Sequence, residues 1–308
     1  MASNEKTSNC DNQLGFCGPG LQSSETHQDT RSKKPLEIYT FIDPLCPECW
    51  AIEPMVKKLQ VEYGDYVTIK YFVSSNLETW NLCQSKAKGS AKNKSLAEIW
   101  ERTASRTGMS CDGDLWHEDP ISTPYIASVA IKAAEMQGKQ AGTRFLRKLR
   151  ESLFLDKKNI TKQSVLVDCA KQVGLDVQEF NRDLHSQGAI KALQCDLKTT
   201  KEMEVDYVPT FVFFNDCVED AGLKVTGFYP FDIYTQVIHE VLGFAPPRAT
   251  KPSIEHFMQQ NKFVATIEVA VVYDISIQEA ERKLKELVLK QKVELVPVKY
   301  GTFWRYVS

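Results

Sequence analysis

The alternation of apolar and polar residues predicts a β-strand at residues 36–42 and a second strand at residues 67–73. Between them, residues 46–63 carry apolar side chains at helical spacing, and Pro54 within this run should kink the helix because proline has no backbone N–H. Two strands joined by one helix form a parallel pair with a right-handed crossover. The pattern therefore predicts a βαβ unit near the start of the chain.

The centre of the chain follows a helical pattern. From about residue 87 to about residue 203, apolar residues recur at intervals of three and four, with polar residues at helix starts and glycines at helix ends. A strand at residues 208–214, a shorter one at 224–227 and a helix at 234–242 follow. We expect the helical block to be an insertion between the first strands of an α/β fold and its closing hairpin.

The prolines of residues 246–252 indicate a linker that leads to a small C-terminal unit, residues 253–308. This unit has two short helical segments, and a capping box at residues 276–279 opens a third helix with one apolar face. Two strands follow, at residues 293–298 and 302–307. Three helices and a β-ribbon predict a winged-helix-like domain.

The first 34 residues are polar and hold too little apolar surface to offset the entropy of ordering, so we predict a disordered tail at residues 1–34. They lack the basic start and apolar centre of a signal peptide. The longest apolar runs of the chain have the length of strands, which predicts no transmembrane span. We therefore expect a cytoplasmic protein with one domain at residues 35–245 and a second at residues 253–308.

The charge of the chain is balanced, with 38 Lys and Arg against 40 Asp and Glu and a net charge of −2. This balance gives no electrostatic basis for binding nucleic acid or an anionic membrane. In the third helix of the C-terminal unit, acidic and basic residues alternate, whereas DNA binding needs a clustered basic surface. Protein interaction is therefore the preferred function of this unit, with DNA recognition as the alternative.

The most specific motif is Cys46-Pro47-Glu48-Cys49, which lies where the first strand gives way to the helix. This position puts the Cys46 thiol at the positive end of the helix dipole, which should stabilise a thiolate and lower the pKa. A CxxC at such a junction is typical of thioredoxin-like redox sites. The alternatives are half a zinc site and two ordinary buried cysteines, but the cysteines that follow are scattered singly rather than paired: Cys83, Cys111, Cys169, Cys195 and Cys217.

Pro209 supports the same fold from far along the chain. It stands at the entry of the apolar strand, where a proline does not remove a ladder hydrogen bond. In thioredoxin-like folds the corresponding bond is cis and faces the CxxC. We therefore predict a cis Val208–Pro209 bond opposite Cys46, with a trans proline that merely starts a strand as the alternative.

Metal binding has only weak candidates, all in the tail: Cys10, Cys17 and His27. Their loose spacing fits cysteines that bind nothing better than it fits a zinc site, so the sequence requires no cofactor. Nine cysteines without an export signal indicate a reducing compartment, where lasting disulfides are not expected.

Several longer runs resemble one family. They are PLEIY at residues 35–39, FIDPLCPECW at 41–50, GMSCDG at 108–113, ESLF at 151–154, LHSQ at 184–187 and ALQCD at 192–196. From about Pro35 to the C-terminus the chain is similar to the SpxH/YjbH family of Firmicute cytosolic proteins. The resemblance implies a DsbA-like branch of the thioredoxin fold with a C-terminal winged helix. It also implies an adaptor that binds the stress transcription regulator Spx and delivers it to the ClpXP protease.

The sequence therefore supports two alternative functions for the domain that holds the CxxC motif. A cytosolic DsbA-like thiol–disulfide oxidoreductase would use Cys46 and Cys49 as its redox pair, with Pro209 opposite them. An adaptor would use the same fold as a binding surface and have no catalytic residue. Glu48 weakens the first reading, because a carboxylate beside the sulfur should raise the pKa of the Cys46 thiol. With the resemblance included, the adaptor is the preferred hypothesis.

Overall fold

The computed structural model describes residues 10–11, 16–17, 34–74, 90–217 and 219–307. The N-terminal part of the chain through the first βαβ unit contains β1 (Cys10–Asp11), β2 (Phe16–Cys17), β3 (Leu36–Ile42), α1 (Pro47–Ala51), α2 (Glu53–Tyr63) and β4 (Val67–Val73). The central helices are α3 (Ser90–Thr107), α4 (Leu115–Glu118), α5 (Tyr125–Met136), α6 (Lys139–Phe154), α7 (Gln163–Gln172), α8 (Val177–Leu184) and α9 (Gln187–Glu202). The hairpin and the helix after it are β5 (Thr210–Phe214), β6 (Leu223–Thr226) and α10 (Phe231–Leu242).

The C-terminal unit contains six elements: α11 (Ile254–Asn261), β7 (Phe263–Ala265), α12 (Thr266–Tyr273), α13 (Ile277–Leu289), β8 (Val293–Pro297) and β9 (Thr302–Tyr306). Its three strands form an antiparallel sheet in the order β7-β9-β8. The three helices and the two later strands were predicted, but β7 was not. A strand of three residues between two helices has no periodicity of its own, and it forms because its backbone pairs with β9, about forty residues later.

The main sheet has the strand order β4-β3-β5-β6. β3 and β4 are parallel, as predicted, and β5 and β6 are antiparallel to their neighbours. Because successive side chains of a strand point to opposite faces, Leu36 and Ile38 pack with α2 and α10 on one side. Phe41 packs with the helical insertion on the other side. The sheet is thus buried on both faces, which explains its dense apolar sequence.

The helix after the CxxC motif is broken rather than kinked. α1 ends at Ala51 and α2 begins at Glu53, with Ile52 between them. Pro54 occupies the first turn of α2, where a backbone N–H would have no partner within the helix, so its absence costs no hydrogen bond. The Ile52 N–H donates to the backbone carbonyls of Glu48 and Trp50 and so ends α1. The break separates a five-residue helix, which holds Cys49 and is capped by Cys46, from the longer helix that follows it.

The predicted insertion is confirmed for the described residues, since α3 to α9 all lie between β4 and β5. Residues 87–89, the start of the predicted block, lie outside the described residues. A buried ion pair fixes this block to the sheet: Lys132 on α5 lies 2.7 Å from Asp196 on α9, and Asp196 accepts the Val73 N–H at 2.8 Å. Within the described residues, no helix has both the length and the apolar character needed to cross a lipid bilayer.

Two short strands lie in the stretch predicted to be a disordered tail. β1 and β2 pair antiparallel, with Cys10 opposite Cys17. The other residues of the tail before Lys34 lie outside the described part of the chain, so that prediction is not tested there.

A buried carboxylate joins the C-terminal unit to the rest of the protein. Glu268 of α12 has a fully buried side chain; both of its oxygens lie within 3.0 Å of the Arg147 guanidinium, and one lies 2.7 Å from Lys57. Arg147 also pairs with Glu151 at 3.0 Å, and its neighbour Arg150 pairs with Glu53 at 2.6 Å. These contacts link α2, α6 and α12, so three parts of the chain share one ionic cluster.

The segment predicted to be a linker is also tied to the body. The Ala249 N–H donates to the Glu62 carbonyl at 2.8 Å, and Lys251 pairs with the Glu62 carboxylate at 3.1 Å. The Tyr273 hydroxyl donates to the Pro252 carbonyl at 2.8 Å. Ala249 and Lys251 therefore contact Glu62 of α2, and Pro252 contacts α12, so this segment adds to the contact between the two units.

We predict that Glu268→Gln lowers the free energy of unfolding by about 3 to 5 kcal/mol, because it removes the buried negative charge that Lys57 and Arg147 share and leaves only Glu151 and Glu53 beside Arg147. Burial alone would raise the pKa of Glu268, but Arg147 and Lys57 outweigh it and lower the pKa from 4.5 to about 2. A carboxyl with a lowered pKa stabilises the fold above its ordinary pKa, and this contribution is lost as the pH falls through the folded-state pKa. The difference between wild type and variant should therefore be full above pH 4.5 and shrink towards about pH 2. Urea denaturation across this range measures it.

Glu286→Gln provides the matched control, because the Glu286 side chain is 51% exposed and pairs with Arg282 on the same helix. It should change the unfolding free energy little at any pH. Equal effects of the two substitutions would contradict a special role for Glu268.

Candidate functional site

The two cysteines of the CxxC motif occupy the start of α1. Cys46 is the N-cap residue, and its sulfur accepts the Cys49 backbone N–H at 3.3 Å. Cys46 is partly exposed, whereas Cys49 is buried, with 1% of its surface exposed. One thiol is thus accessible and the other lies behind it, and both are free.

The sheet brings a distant loop against this motif. The Val208–Pro209 peptide bond is cis, and the Cys46 Sγ lies 3.7 Å from the Val208 carbonyl oxygen. Pro209 directly precedes β5, which pairs with β3, and β3 leads into the CxxC motif. Pairing of β3 with β5 therefore puts Cys46 opposite the proline, as the sequence predicts.

The electrostatics of the Cys46 thiol differ from those expected of a helix start. Its pKa is raised well above the ordinary 9.0, first by the hydrogen bond with the Cys49 thiol and then by burial, with Asp43 adding to the rise. The Cys49 backbone N–H lowers the pKa, but its effect is outweighed. The expectation of a lowered pKa from the helix dipole is therefore wrong, and Cys46 is held as a neutral thiol.

Glu48 is not the cause of this rise, although the sequence suggested it. One of its carboxylate oxygens lies 3.0 Å from the Arg106 guanidinium and the other accepts the Tyr207 hydroxyl at 2.6 Å. Burial and this hydrogen bond raise the pKa of Tyr207, so its hydroxyl remains a donor. The Arg106 guanidinium thus balances the charge of Glu48, and Tyr207 adds a neutral hydrogen bond.

Trp50, the residue after the motif, is completely buried and held on several sides. Its ring stacks on Phe154 with centroids 5.8 Å apart and on Phe303 with centroids 6.2 Å apart and planes 3° from parallel. The Arg147 guanidinium lies 4.4 Å from its centroid, and its indole N–H donates to the Ser110 carbonyl at 3.0 Å. Phe303 belongs to β9, so the C-terminal unit forms part of the support of the CxxC helix.

This contribution from the C-terminal unit was missed by reasoning from the sequence. The sequence placed Trp50 on the apolar face of the helix after the CxxC motif, and the run at residues 108–113 entered only as part of a resemblance. A tryptophan directly after a CxxC motif was the available signal, because so large an apolar side chain needs a packing partner.

A third thiol lies near the motif. Cys111 is fully buried, and its pKa is raised by burial and then by Cys46 and Glu101. Its sulfur contacts the Met109 carbonyl oxygen at 3.6 Å. A buried neutral thiol is a poor nucleophile, so Cys111 acts as an apolar packing residue.

The candidate metal ligands of the tail are only partly described. The β1-β2 register places Cys10 opposite Cys17, and His27 lies outside the described residues. Elsewhere in the described chain, Glu101, Asp112 and Asp114 bring three carboxylates together. This cluster already holds a cation, because the Lys299 Nζ lies 2.8, 3.1 and 2.9 Å from the three carboxylates.

One cysteine departs from the expectation that lasting disulfides are absent. Cys195 on α9 is disulfide-bonded. The other cysteines with described side chains are free thiols, so its partner lies outside that set.

A family model described as thioredoxin matches residues 39–236, which contain both the CxxC motif and Pro209. Among solved structures, a putative protein disulfide isomerase from Nitrosomonas europaea aligns with a TM-score of 0.59 and 16% identity, covering 68% of this chain and 98% of the other. A probable DsbA oxidoreductase from Streptomyces coelicolor aligns with a TM-score of 0.51 and 17% identity, covering 71% and 94%. These similarities show a thioredoxin-like, DsbA-like fold.

Curated relatives extend over the whole chain. The ClpXP adapter protein SpxH of Halalkalibacterium halodurans is 59% identical over 308 residues and covers 100% of both chains. The protein of the same name from Bacillus subtilis is 48% identical over 284 residues, covering 92% of this chain and 93% of the relative. Since the identity includes the C-terminal unit as well as the thioredoxin-like body, the chain belongs to the SpxH family of ClpXP adapter proteins.

Proposed function

We propose that this protein is an adaptor that binds the transcription regulator Spx and promotes its degradation by the ClpXP protease in the cytoplasm. The observation that carries the proposal is the 59% identity to a ClpXP adapter protein over the entire length of both chains. An oxidoreductase related only by fold would not need to share the C-terminal unit. The adaptor needs no catalytic residue and no cofactor; a zinc site in the tail would use Cys10, Cys17 and His27 as its ligands.

The C-terminal unit supports binding of protein rather than DNA. We infer that it is a winged-helix module, since its elements follow the order helix, strand, helix, helix and two strands. On α13 the charged residues pair with one another, as in Arg282 with Glu279 and Lys285 with Glu281. A helix whose cations are already paired offers little to phosphate groups.

The rigid connection of the two units supports the same function. The ionic cluster around Glu268 and the stacking of Phe303 on Trp50 hold the C-terminal unit against the body. An adaptor whose two parts are fixed before the client arrives avoids the entropic cost of ordering them on binding. A preformed surface of this kind would leave a mobile end of the client free for the unfoldase.

A thiol–disulfide oxidoreductase remains the second candidate, because Cys46 lies beside the cis bond before Pro209. The electrostatics oppose it. The thiolate is the nucleophile in disulfide exchange, and the Cys46 pKa is raised well above its ordinary value. A thiol with a raised pKa holds a smaller fraction of thiolate at neutral pH, so slow disulfide exchange at Cys46 is the expected result.

The first test is reconstitution of Spx, ClpXP and ATP with and without the purified protein. We expect the protein to shorten the half-life of Spx, since an adaptor raises the local concentration of client at the protease. Degradation of an unrelated ClpXP substrate in the same reaction should not change. An unchanged half-life of Spx at saturating protein would exclude the adaptor function.

The second test separates the two candidate functions. We predict that Cys46→Ala with Cys49→Ala leaves Spx delivery near the wild-type rate, because binding depends on the surface and not on a thiolate. Removing the two sulfurs should cost only about 1 to 2 kcal/mol of stability, which thermal melting checks. Cys217→Ala, at an exposed free thiol, is the matched control. Complete loss of delivery by a folded double variant would instead support the oxidoreductase.

The third test is the pH dependence of alkylation. At pH 7.5 we expect iodoacetamide to modify Cys46 more slowly than the exposed Cys217, because the raised pKa of Cys46 leaves less of it as the reactive thiolate. The rate at Cys46 should continue to rise above pH 9.0, its ordinary pKa. Mass spectrometry of the two peptides from one sample measures both rates. Faster modification of Cys46 at neutral pH would show an activated thiol.

A further inference from the structure

A cavity of about 370 Å³ lies in the seam between the body of the protein and the C-terminal unit. Its described wall residues come from α2, from α11 and from the segment that connects the two units. Cys46, Cys49 and Pro209 are not among them, so the cavity is separate from the CxxC site. Its volume is near the lower end of the range for ligand sites and suits a small molecule or the end of a peptide.

The wall of this cavity offers three kinds of chemical group. The apolar ones are Val61, Pro252 and Phe257. Carboxamides, which both donate and accept hydrogen bonds, are supplied by Gln60, Gln260 and Asn261. His256 adds an imidazole, and the described wall contains one lysine, Lys57, but no arginine, aspartate or glutamate. The formal charge of the wall is therefore positive.

Lys57 is a largely buried cation with limited compensation. Its side chain is 10% exposed, and its ammonium lies 2.7 Å from a Glu268 oxygen that also accepts from the Arg147 guanidinium at 2.9 Å. One carboxylate oxygen is thus shared between two cations. The pKa of Lys57 is lowered, first by burial and then by Arg147, because Glu268 and Glu53 do not outweigh these two effects. A further anion beside Lys57 would therefore stabilise its charged form.

The ionic cluster behind Lys57 also has a positive excess. Its ion pairs connect four cations with three carboxylates, which are Lys57, Arg147, Lys148 and Arg150 against Glu53, Glu151 and Glu268. The described wall of the cavity adds no carboxylate to this set. Because charges in a partly buried site are weakly screened, the excess favours an anionic ligand over a neutral or cationic one.

We propose that this cavity binds a short peptide by its free C-terminus, with the terminal carboxylate paired to Lys57. The carboxamides of the wall hydrogen-bond the last peptide groups, and the apolar part of the wall takes an apolar last side chain. A peptide end matches all three kinds of wall group, because it carries a carboxylate, an amide and a side chain close together. This ligand is separate from the client, so the proposal goes beyond the adaptor function.

The test titrates the full-length protein into a tripeptide, alanyl-alanyl-leucine with fluorescein at its N-terminus, and follows fluorescence anisotropy. The same peptide with an amidated C-terminus is the comparison. We expect the amide to bind about tenfold more weakly or worse, because it lacks the charge that pairs with Lys57. Equal affinities of the two peptides, or no binding of the free acid at millimolar protein, would overturn the proposal.

Two variants on α11 locate the site. Gln260→Glu puts a carboxylate into the wall at an exposed residue and leaves Lys57 and its ion pair in place. It should weaken binding of the free acid about tenfold or more by charge repulsion. Gln259→Glu is the matched control, because it makes the same charge change one residue away, at an exposed position outside the wall. It should leave the affinity unchanged, and equal affinities of the two variants would overturn the assignment to this cavity.

A competitor separates a peptide end from a simple carboxylate. 4-Methylpentanoate has the carboxylate and the leucine side chain but no peptide group, so it should displace the labelled peptide only at about tenfold higher concentration than unlabelled alanyl-alanyl-leucine. Displacement at the same concentration would overturn the assignment to a peptide. The titrations contain neither Spx nor ClpXP, so their failure leaves the adaptor function untouched, and a failed degradation assay leaves this site intact.

Discussion

The carboxylate of Glu268 is the contact on which the arrangement of this protein depends. It is fully buried and is neutralised by Arg147 of the insertion and Lys57 of α2. Another orientation of the C-terminal unit would separate Glu268 from these two cations and leave buried charges unpaired. A buried ion pair of this kind adds little net stability compared with apolar packing, but breaking it is costly. Its effect is therefore to fix the orientation of the C-terminal unit. Arg147 connects this contact to the CxxC helix, because its guanidinium also lies over the Trp50 ring.

The thioredoxin-like body keeps the positions of a redox site while its electrostatics oppose redox chemistry. Cys46, Cys49 and Pro209 lie together as they would in an oxidoreductase, yet the Cys46 thiol stays protonated because of Cys49 and burial. Chemistry by disulfide exchange needs a thiolate, whereas a binding surface needs only shape and order. The same fold can thus serve an adaptor, and the full-length identity to ClpXP adapter proteins agrees with that use.

The C-terminal unit supports the CxxC helix, so it is part of the structure around the motif and not only an appended domain. Phe303 packs into the same apolar core as Trp50 and Cys49, and the loop before β9 binds the segment next to Cys111. Two units that share a core do not move independently, because a packed interior resists continuous deformation. The protein therefore presents its two parts to a client as one surface.

The sequence by itself determined the elements and the site motif. The strands at residues 36–42 and 67–73, the helical insertion and the cis bond at Pro209 opposite Cys46 follow from periodicity, local residue chemistry and the CxxC resemblance, all of which can be read along the chain. Only the tertiary structure decided the pKa of Cys46, the partners of Glu48 and the seating of the C-terminal unit on Glu268. These depend on burial and on contacts between residues far apart in sequence, and such contacts leave no local pattern.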